Sequence, residues 1–485
     1  MRKHLVFLPL AAGLAVRAAE YTWTGAFSSA MGDPANYADE NGAQPPGAPG
    51  VSDTIVFSNA VDSVAHPPVN DAGANRFGVI HVKTNGYVLA GADLYYKNIN
   101  LDPGVTLTNT APLSWTDSEQ SRVALGERAV FVQNGAFGPG PGEFMMQAAN
   151  GAEFVFNTSV KGMKVRDSNS SDYTATFATA ANLYMEMQGT PRIRTTGGGL
   201  DFGDGKIKFT GSTIYFGGGG SGNITKSGEF EFDWNRDINV FVEDVVFWGG
   251  FFRGETDGNH VLYKRGNGAC VMGGNSILSS RGGSNDNGMM VRVSDGTLCV
   301  NGGFTTFSRK QNNLEGLRVD AGARLEGVGV FDTRTPDGNG LTNKTANIYG
   351  VIAPGCSHGA PQNIAGTFTF IGADFTFRSG SRLEIKAGRE AQGRLVLDAA
   401  PVTIEGGAAL EVIPLDDGAP RGPFVILENT AGLPVNGFFD GLPEGAKAVA
   451  SANGAARHYR ITYFGGNGHD IALIPLPGST LLLIQ

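Results

Sequence analysis

Asn-Gly and Asp-Gly pairs recur through most of the chain and mark places where the backbone is expected to turn sharply. They occur at Asn85-Gly86, Asn134-Gly135, Asn150-Gly151, Asp204-Gly205, Asp257-Gly258, Asp295-Gly296, Asn301-Gly302, Asp337-Gly338, Asn453-Gly454 and Asn467-Gly468. Both residues of such a pair tolerate the positive φ angles of tight turns. Glycine fills 72 of the 485 positions, and a glycine inside a helix costs about 1 kcal/mol relative to alanine. The chain is therefore predicted to be all-β, with little or no helix.

Short segments between these turns show the two-residue alternation of β-strands. The clearest is EFEFDWN at residues 229–235, where Phe230, Phe232 and Trp234 would share one face. Two longer segments, MMVRVSDGTLCVNGG from residue 289 and LRVDAGARLEGVGVF from residue 317, both indicate strand, turn, strand, with about 27 residues between their starts. This repeated pattern favours a β-solenoid, in which like residues stack on successive rungs, over a row of β-sandwiches.

The first 18 residues have the organisation of a signal peptide. A basic segment, MRKH, precedes an apolar run at residues 5–16, and Val16 and Ala18 are small residues at the positions that a signal peptidase reads. The run is too short for a stable membrane anchor, and the alternative is a buried N-terminal strand or helix. We therefore expect a bacterial protein exported to the cell surface or beyond, with no membrane-spanning segment in the mature chain. The net charge of −9 argues against nucleic acid as a partner.

The three cysteines, Cys270, Cys299 and Cys356, are too few for a disulfide framework. A single bridge between Cys270 and Cys299 would be possible in an oxidising compartment, whereas lone buried cysteines are the commoner case. None of the three has metal-ligand spacing. The seven histidines show no paired spacing suited to metal binding or to general-base catalysis.

Several segments of the C-terminal half follow one another in a characteristic order. They are LRVDAGARLEGVGVF, then VIAPGCSHGA at residues 351–360, GTFTFIG from residue 366, RLVLDAAPVTIEGGAALEVIP from residue 394, and YRITYFGGNGHDIAL at residues 459–473. In this order they resemble passenger regions with autotransporter-associated β-strand repeats. YTWTG at residues 21–25 is similar to the opening rung of that group, with Trp23 kept and Tyr37 where tryptophan is usual. The resemblance implies a secreted, right-handed parallel β-helix or β-solenoid.

The pattern divides the chain into five parts. They are a signal peptide (1–18), N-terminal capping strands (19–58), a solenoid with irregular repeats (59–288), the autotransporter-like repeats (289–473) and a short tail (474–485). The C-terminal barrel of a complete autotransporter is not expected, because the chain ends twelve residues after Leu473. The tail PLPGSTLLLIQ resembles the start of a PEP-CTERM sorting signal in which Leu476 replaces the glutamate; the alternative is a frayed last strand.

No catalytic, cofactor-binding or metal site stands out. GGNGHD at residues 465–470 matches one calcium nonapeptide, which makes Asp470 a weak calcium candidate, but such sites need stacked copies, and a turn into a final strand explains the same letters. Carboxylates that a lyase or glycosidase would align are Asp201 with Asp204, or Glu243 and Asp244 near Arg253. Asp204 precedes a glycine and is more simply a turn residue, and Glu243 and Asp244 more simply mark a turn or bulge. No cofactor is expected.

An aromatic cluster in the middle of the chain invites a carbohydrate-stacking interpretation. Its members are Trp234, Phe241, Phe247, Trp248, Phe251 and Phe252. Aromatics at alternating positions more often fill the core between rungs. Phe251 and Phe252 are adjacent, so one of them must leave the core face.

These patterns together predict an exported, non-enzymatic β-solenoid with a structural or adhesive role, whose partners would be surface glycans or neighbouring surface proteins. The alternative is a carbohydrate-active or glycan-binding protein on the same scaffold. Carboxylates of adjacent rungs that converge with an arginine or lysine in an open cleft would favour the alternative. The YTWTG segment is expected to cap one end of the solenoid, and residues 438–473 the other.

Overall fold

The computed structural model describes most of the chain outside its termini and several loops. The described residues are 18–60, 66–71, 76–114, 121–136, 144–148, 152–157, 172–177, 185–187, 190–195, 200–201, 207–209, 212–217, 224–226, 230–234, 237–249, 252–256, 260–280, 289–307, 315–334, 344–358, 364–399, 401–416, 420–452 and 455–477. Nearly all of the predicted signal peptide and most of the C-terminal tail lie outside them. Structural statements below concern the described residues.

The described residues of the N-terminal part form short strands and one 3₁₀ turn, Pro34–Asn36. The strands are β1 (Glu20–Trp23), β2 (Tyr37–Ala38), β3 (Thr54–Phe57), β4 (Val69–Asn70), β5 (Arg76–Val82), β6 (Tyr87–Gly91), β7 (Leu94–Leu101), β8 (Thr106–Asn109), β9 (Leu113–Ser114), β10 (Ser121–Leu125), β11 (Val130–Gln133), β12 (Phe144–Ala148), β13 (Ala152–Phe156), β14 (Asp172–Phe177) and β15 (Met185–Met187).

The middle and C-terminal parts continue in the same style. Their strands are β16 (Thr190–Thr195), β17 (Leu200–Asp201), β18 (Ile207–Phe209), β19 (Thr213–Phe216), β20 (Ile224–Lys226), β21 (Phe230–Trp234), β22 (Ile238–Val242), β23 (Val245–Trp248), β24 (Phe252–Thr256), β25 (His260–Arg265), β26 (Ala269–Met272), β27 (Ser276–Ser280), β28 (Met289–Val293), β29 (Thr297–Val300), β30 (Gly303–Phe307), β31 (Glu315–Val319), β32 (Arg324–Gly327), β33 (Val330–Asp332), β34 (Thr345–Ile348), β35 (Val351–Pro354), β36 (Thr367–Ile371), β37 (Phe375–Phe377), β38 (Arg382–Ala387), β39 (Arg394–Asp398), β40 (Val402–Ile404), β41 (Ala409–Pro414), β42 (Phe424–Asn429), β43 (Lys447–Ala452), β44 (Ala455–Gly465) and β45 (Asp470–Pro475).

From β16 to β42 every third strand joins the same parallel sheet, which is the topology of a coiled chain. The strands are distributed over sheets of 15, 13 and 9 strands, while most of the N-terminal strands form a separate sheet of 8. The structure therefore confirms the predicted all-β, parallel β-solenoid, with about eight turns, and excludes the row of sandwiches. Among the described residues, no helix has the length and apolar character needed to cross a membrane.

The rung length predicted from the sequence echo is also confirmed. Val291 in β28 lies beside Leu317 in β31, an offset of 26 residues, and Thr297 in β29 lies beside Arg324 in β32, an offset of 27. The strands alternate as expected, because side chains of a strand point to opposite faces of the sheet. The inward-facing side chains form one continuous apolar core along the stack.

Glycines of the Asn-Gly and Asp-Gly pairs serve two different purposes. Positive φ angles occur at Gly86, Gly296 and Gly468, as predicted. Gly135 and Gly302 also follow strand ends, as predicted, but without a positive φ angle. Close packing of the rungs requires glycine there: a Cβ on Gly302 would lie 2.3 Å from the carbonyl oxygen of Gly274. In the other five pairs one or both residues lie outside the described residues, namely Asn150-Gly151, Asp204-Gly205, Asp257-Gly258, Asp337-Gly338 and Asn453-Gly454.

The two segments predicted to cap the solenoid lie at the ends of sheets. β1 runs parallel to β3 and pairs with β2 in the antiparallel direction at the edge of the 8-stranded sheet. Trp23 is fully buried there, and its ring meets that of Tyr37 edge to face at 5.2 Å. At the other end, β45, β44 and β43 extend the 13-stranded sheet with antiparallel pairs.

Deleting residues 20–57 should cause aggregation. The deletion removes β1, β2 and β3 and thereby leaves the backbone groups of β5 unpaired at the sheet edge. An uncovered edge strand is a template for pairing with another chain. Light scattering would test this, with the full mature chain as the control; a truncated chain that stays monomeric would contradict the capping role.

Candidate functional site

Described residues of the segment between β35 and β36, at 355–358 and 364–366, cover part of the outer face of the 9-stranded sheet. Two residues, 328–329, link β32 to β33, whereas twelve, 355–366, link β35 to β36. We call residues 355–366 the flap, of which 355–358 and 364–366 are described. Backbone bridges from Gly355 to Gly327 and from Cys356 to Ile364 hold the flap against the sheet and close it on itself.

The sheet beneath the flap determines which way each cysteine faces. Cys270 in β26 lies beside Leu298, and both belong to the inner core. Cys299 in β29 lies beside Val271 and packs on the outer face, in a small apolar cluster with Cys356. The three thiols are free, and Cys270 and Cys299 point to opposite faces of the sheet. A disulfide bond between Cys270 and Cys299 is therefore excluded, and Cys299 contacts Cys356 instead.

The thiols of Cys299 and Cys356 are in direct contact. Their Sγ atoms are 3.1 Å apart, and both side chains are buried. The amide of Asn301 spans the pair, because its Oδ1 accepts a hydrogen bond from Cys299 and its Nδ2 donates one to Cys356. The hydrogen bond from Cys299 lowers the pKa of Cys356 to about 6, and the same contact, together with burial, raises the pKa of Cys299 far above its usual range. Cys356 Sγ also contacts the carbonyl oxygen of His358.

Glu326 lies next to the thiols and ties the flap to the sheet. It is the register partner of Cys299 on the next rung and is fully buried. Its Oε1 accepts hydrogen bonds from the backbone N–H of Ser357 and contacts Nδ1 of His358, each at 2.9 Å, while its Oε2 accepts one from Nε of Arg324 at 2.8 Å. Burial would raise the pKa of Glu326, but these hydrogen bonds outweigh burial and lower the pKa to about 2.

Lys386 in β38 contributes a further cation beneath the flap. Its Nζ donates a hydrogen bond to Oγ of Ser357 at 3.0 Å, and the side chain is buried. Burial lowers the pKa of Lys386, and the nearby carboxylate of Glu326 opposes that change. The flap cluster, as we name the group, consists of Cys299, Asn301, Glu326, Cys356, Ser357, His358 and Lys386.

A row of ion pairs continues from Glu326 along the outer face of the same sheet. Arg324 bridges Glu326 and Glu384, and Arg382 bridges Glu384 and Glu411. The exposed fraction of the side chain is 0% for Glu326 and 6% for Glu384 but 47% for Glu411, so the row runs from a covered end to an open end. We call this row the ion-pair ladder. Because both carboxylates at the covered end are held by arginine, they are poorly suited to proton transfer.

The flap cluster can do two kinds of chemistry. A thiolate beside a thiol can undergo thiol–disulfide exchange. Alternatively, one ligand atom each from Cys299, Glu326 and Cys356 lies within 4.8 Å of the others, which is a spacing that a metal ion could bridge.

Glu243 and Asp244, considered for sugar chemistry, lie between strands of two sheets, and Arg253 lies in a strand of a third. Glu243 and Asp244 form the corner between β22 and β23, as their turn interpretation requires. Arg253 lies in β24, which belongs to the 13-stranded sheet. Asp201 lies in β17 of the 9-stranded sheet, and Asp204 is outside the described residues.

The aromatic cluster divides between the core and the surface. Trp248 is a core residue, with its ring 4.6 Å from that of Phe230 in an edge-to-face contact. Phe241 is not core filler: it faces outwards, partly exposed, and stacks on Tyr215 at 4.5 Å. Phe247 packs against the small apolar cluster on the outer face. The structure does not describe Phe251 or the side chains of Trp234 and Phe252.

Asp470 lies in the turn into the last strand, as the non-calcium interpretation of GGNGHD predicts. Gly465 pairs with Asp470 across the hairpin between β44 and β45. The buried Oδ1 of Asp470 accepts a hydrogen bond from the backbone N–H of Asn429 at 2.9 Å. This carboxylate thus joins β45 to β42.

The residues of the flap cluster lie far apart in the chain, so no local spacing of ligands predicted this site. The rung period of 27 residues could have indicated it. Glu326 lies one period after Cys299, and Ala353, one further period on, is three residues before Cys356. Stacking in a solenoid places residues one period apart side by side. The insertion of the flap then folds Cys356 back over them.

We expect the stability of the chain to depend on pH through Glu326. Its pKa is about 2 in the folded chain and near 4.5 when unfolded, so its stabilisation is complete above about pH 4.5 and is lost as the pH falls towards 2. The full loss should be about 3 kcal/mol, of which about 2 kcal/mol falls between pH 6 and pH 3. Urea unfolding at pH 6 and pH 3 would measure that part.

The variant Glu326→Gln should be less stable at pH 6 and should show a smaller difference between the two pH values. Glu390→Gln is the matched control, because the side chain of Glu390 is 70% exposed and makes a surface ion pair. A Glu326→Gln variant with the same acid dependence as the wild type would contradict the assignment.

Comparison with known proteins does not identify a relative. No protein-family model matches the chain, and no curated protein matches it at a significant level.

Proposed function

We propose that the chain is an exported, non-enzymatic structural or adhesive protein of the bacterial cell surface, related to autotransporter passengers with β-strand repeats. The resemblance of residues 289–473 and the signal-peptide pattern of residues 1–18 support this proposal. Export would remove residues 1–18, so N-terminal sequencing of the secreted chain should begin at Ala19.

The observation that carries the proposal is the pairing of charges between rungs. Several carboxylates along the stack form ion pairs with arginine. Arg324 binds Glu326 and Glu384, and Arg378 binds Glu405. On the 15-stranded sheet, Arg292 and Arg318 share Asp320. Arg378–Glu405 and Arg292–Asp320 join neighbouring rungs, and Arg324–Glu384 reaches across one intervening strand. Hydrogen bonds that include those from arginine lower the pKa values of Glu326, Asp320 and Glu405. Such an arrangement suits a scaffold better than acid–base catalysis, which needs one carboxyl group with a raised pKa.

The stack also has the dimensions of a rod. Fifteen strands in one sheet, about 4.8 Å apart, extend over about 65–70 Å. Each rung contacts its neighbours through a continuous backbone ladder, which stiffens the stack without disulfides.

A partly exposed row of aromatic and basic side chains favours the adhesive form of the proposal. We call it the outer stripe; its members on the 15-stranded sheet are Tyr215, Phe241, Tyr263, Arg265 and Arg292. The guanidinium carbon of Arg265 is 4.6 Å from the ring centre of Tyr263, and that of Arg292 is 5.9 Å from the same ring. Flat rings beside guanidinium groups suit the stacking and hydrogen bonding of acidic sugars. Glycan binding at this stripe is the second candidate function.

A glycan array probed with the mature chain tests both candidates. Adhesion through the outer stripe predicts binding to acidic glycans that Tyr263→Ala weakens, while Phe464→Ala, whose side chain is 67% exposed in β44 at the C-terminal end, leaves it unchanged. Binding that is insensitive to Tyr263→Ala would count against the stripe. Release of sugar fragments from any arrayed polysaccharide would overturn the non-enzymatic proposal.

A further inference from the structure

Two of the three cysteines are placed as a reactive pair, although 57 residues separate them in the chain. Cys299 belongs to the sheet and Cys356 to the flap, and their Sγ atoms are 3.1 Å apart. A disulfide bond requires about 2.05 Å, so an approach of about 1 Å would form one. The pair lies where the flap meets the sheet, and the bond would therefore join two structural elements.

We propose that Cys299 and Cys356 form a redox-responsive disulfide that fastens the flap to the outer face of the 9-stranded sheet. The proposal rests on the position of the two thiols and of the flap, and it does not depend on the proposed structural or adhesive function. Cys270 is excluded from the bond, because it faces the inner core beside Leu298.

The neighbouring groups assign different roles to the two sulfurs. Asn301 Nδ2 donates to Cys356 and Asn301 Oδ1 accepts from Cys299, so Cys356 is the sulfur that receives a hydrogen bond from this amide. The lowered pKa of Cys356, about 6, agrees with this assignment. Cys356 is thus the attacking sulfur and Cys299 the resolving one. Both are buried, so a reagent reaches them only through local opening of the structure around the two sulfurs.

The reaction needs a small-molecule disulfide such as oxidised glutathione as the oxidant. The Cys356 thiolate attacks one glutathione sulfur, forms a mixed disulfide and releases glutathione thiolate, which takes up the Cys299 proton. Cys299 then attacks the Cys356 sulfur and releases the second glutathione, which is protonated by solvent. In sum, two protein thiols are oxidised to one disulfide and one oxidised glutathione is reduced to two thiols.

A metal ion is the competing occupant of the same position, and the geometry favours the disulfide. Two thiolates on one tetrahedral Zn²⁺ would be about 3.8 Å apart, given a Zn–S distance of about 2.3 Å. The Sγ atoms are closer than that, at 3.1 Å. In addition, both oxygens of Glu326 already have partners, namely His358 and Ser357 on one and Arg324 on the other.

Oxidation of the full mature chain followed by peptide mapping tests the proposal. The folded chain is equilibrated with oxidised glutathione, its remaining thiols are alkylated after unfolding, and its peptides are analysed by mass spectrometry. The expected product is one cross-linked peptide pair containing Cys299 and Cys356, with Cys270 alkylated. Oxidation should also raise the urea concentration at the unfolding midpoint, and a reductant should reverse the shift.

Three serine variants separate the outcomes. Cys270→Ser should keep both the cross-link and the stability shift, whereas Cys299→Ser and Cys356→Ser should lose both, and Cys299→Ser should retain glutathione on Cys356. A cross-link through Cys270, or thiols that stay reduced in the oxidised buffer, would overturn the proposal. It would equally be overturned if Co²⁺ binding to the reduced chain gave a thiolate charge-transfer band, lost in both variants, while no disulfide formed.

Discussion

Replacing Phe331 with alanine should lower the free energy of unfolding by about 3–5 kcal/mol. The ring of Phe331 is fully buried and lies between those of Phe304 and Phe370 on the neighbouring rungs. It is parallel to the ring of Phe304, at 5.1 Å and 3°, and 6.3 Å from that of Phe370. Alanine would leave a cavity that the two backbone ladders keep from collapsing, so the lost contacts would not be replaced.

Urea unfolding followed by circular dichroism would measure this loss, and Phe464→Ala is the matched control. Phe464 has the same side chain, but 67% of its surface is exposed, so its removal should change the stability by less than about 0.5 kcal/mol. Because each rung contacts only its neighbours, amide exchange should accelerate first in β30, β33 and β36. Equal effects of the two variants would contradict the stacked aromatic core.

Replacing Arg324 with methionine should be about as damaging, at about 3–5 kcal/mol. The guanidinium group of Arg324 binds Oε2 of Glu326 at 2.8 Å and Oε2 of Glu384 at 2.5 Å, and both carboxylates are almost completely buried. Methionine keeps much of the volume but leaves buried Glu326 without its arginine and buried Glu384 with Arg382 alone. Part of the loss should be regained at low pH, because protonation of the carboxylates removes the unpaired charge.

Arg421→Met is the control for this second experiment. Arg421 pairs with Glu390 at 2.7 Å, but the two side chains are 75% and 70% exposed. A surface pair of this kind contributes about 0–1 kcal/mol, because water screens it. If Arg324→Met and Arg421→Met lowered the unfolding midpoint equally, the ion-pair ladder would be an ordinary surface feature and not a stabilising element.

The local features of the sequence predicted the architecture well. Alternation in EFEFDWN predicted that Phe230 and Phe232 share one face, and both lie in the core. The echo between residues 289 and 317 predicted the rung length, because stacked rungs impose the same pattern on residues one turn apart. Asn301-Gly302 lies at a corner, as predicted, but the close approach of another rung and not a positive φ angle requires the glycine.

The candidate site could not be predicted with the same success. Cys270 and Cys299 lie in neighbouring strands of one sheet, and the sequence alone left their pairing open. The register between β26 and β29 decides the pairing. Cys299 aligns with Val271 and not with Cys270, so the two thiols point to opposite faces of the sheet. Likewise, Phe241 was expected in the core because aromatics usually fill it, yet its position in the alternation of β22 directs it outwards.

The sequence by itself determined that this chain forms short strands, turns tightly between them and repeats with a period of about 27 residues, because strand alternation and turn geometry depend on neighbouring residues. The tertiary structure decided that Cys299, Glu326 and Cys356 meet and that Arg324 binds two buried carboxylates. Those contacts depend on which rungs are adjacent, which face each residue occupies and where the twelve-residue flap folds back. Such relations join residues distant in the chain, and they exist only once the rungs have stacked.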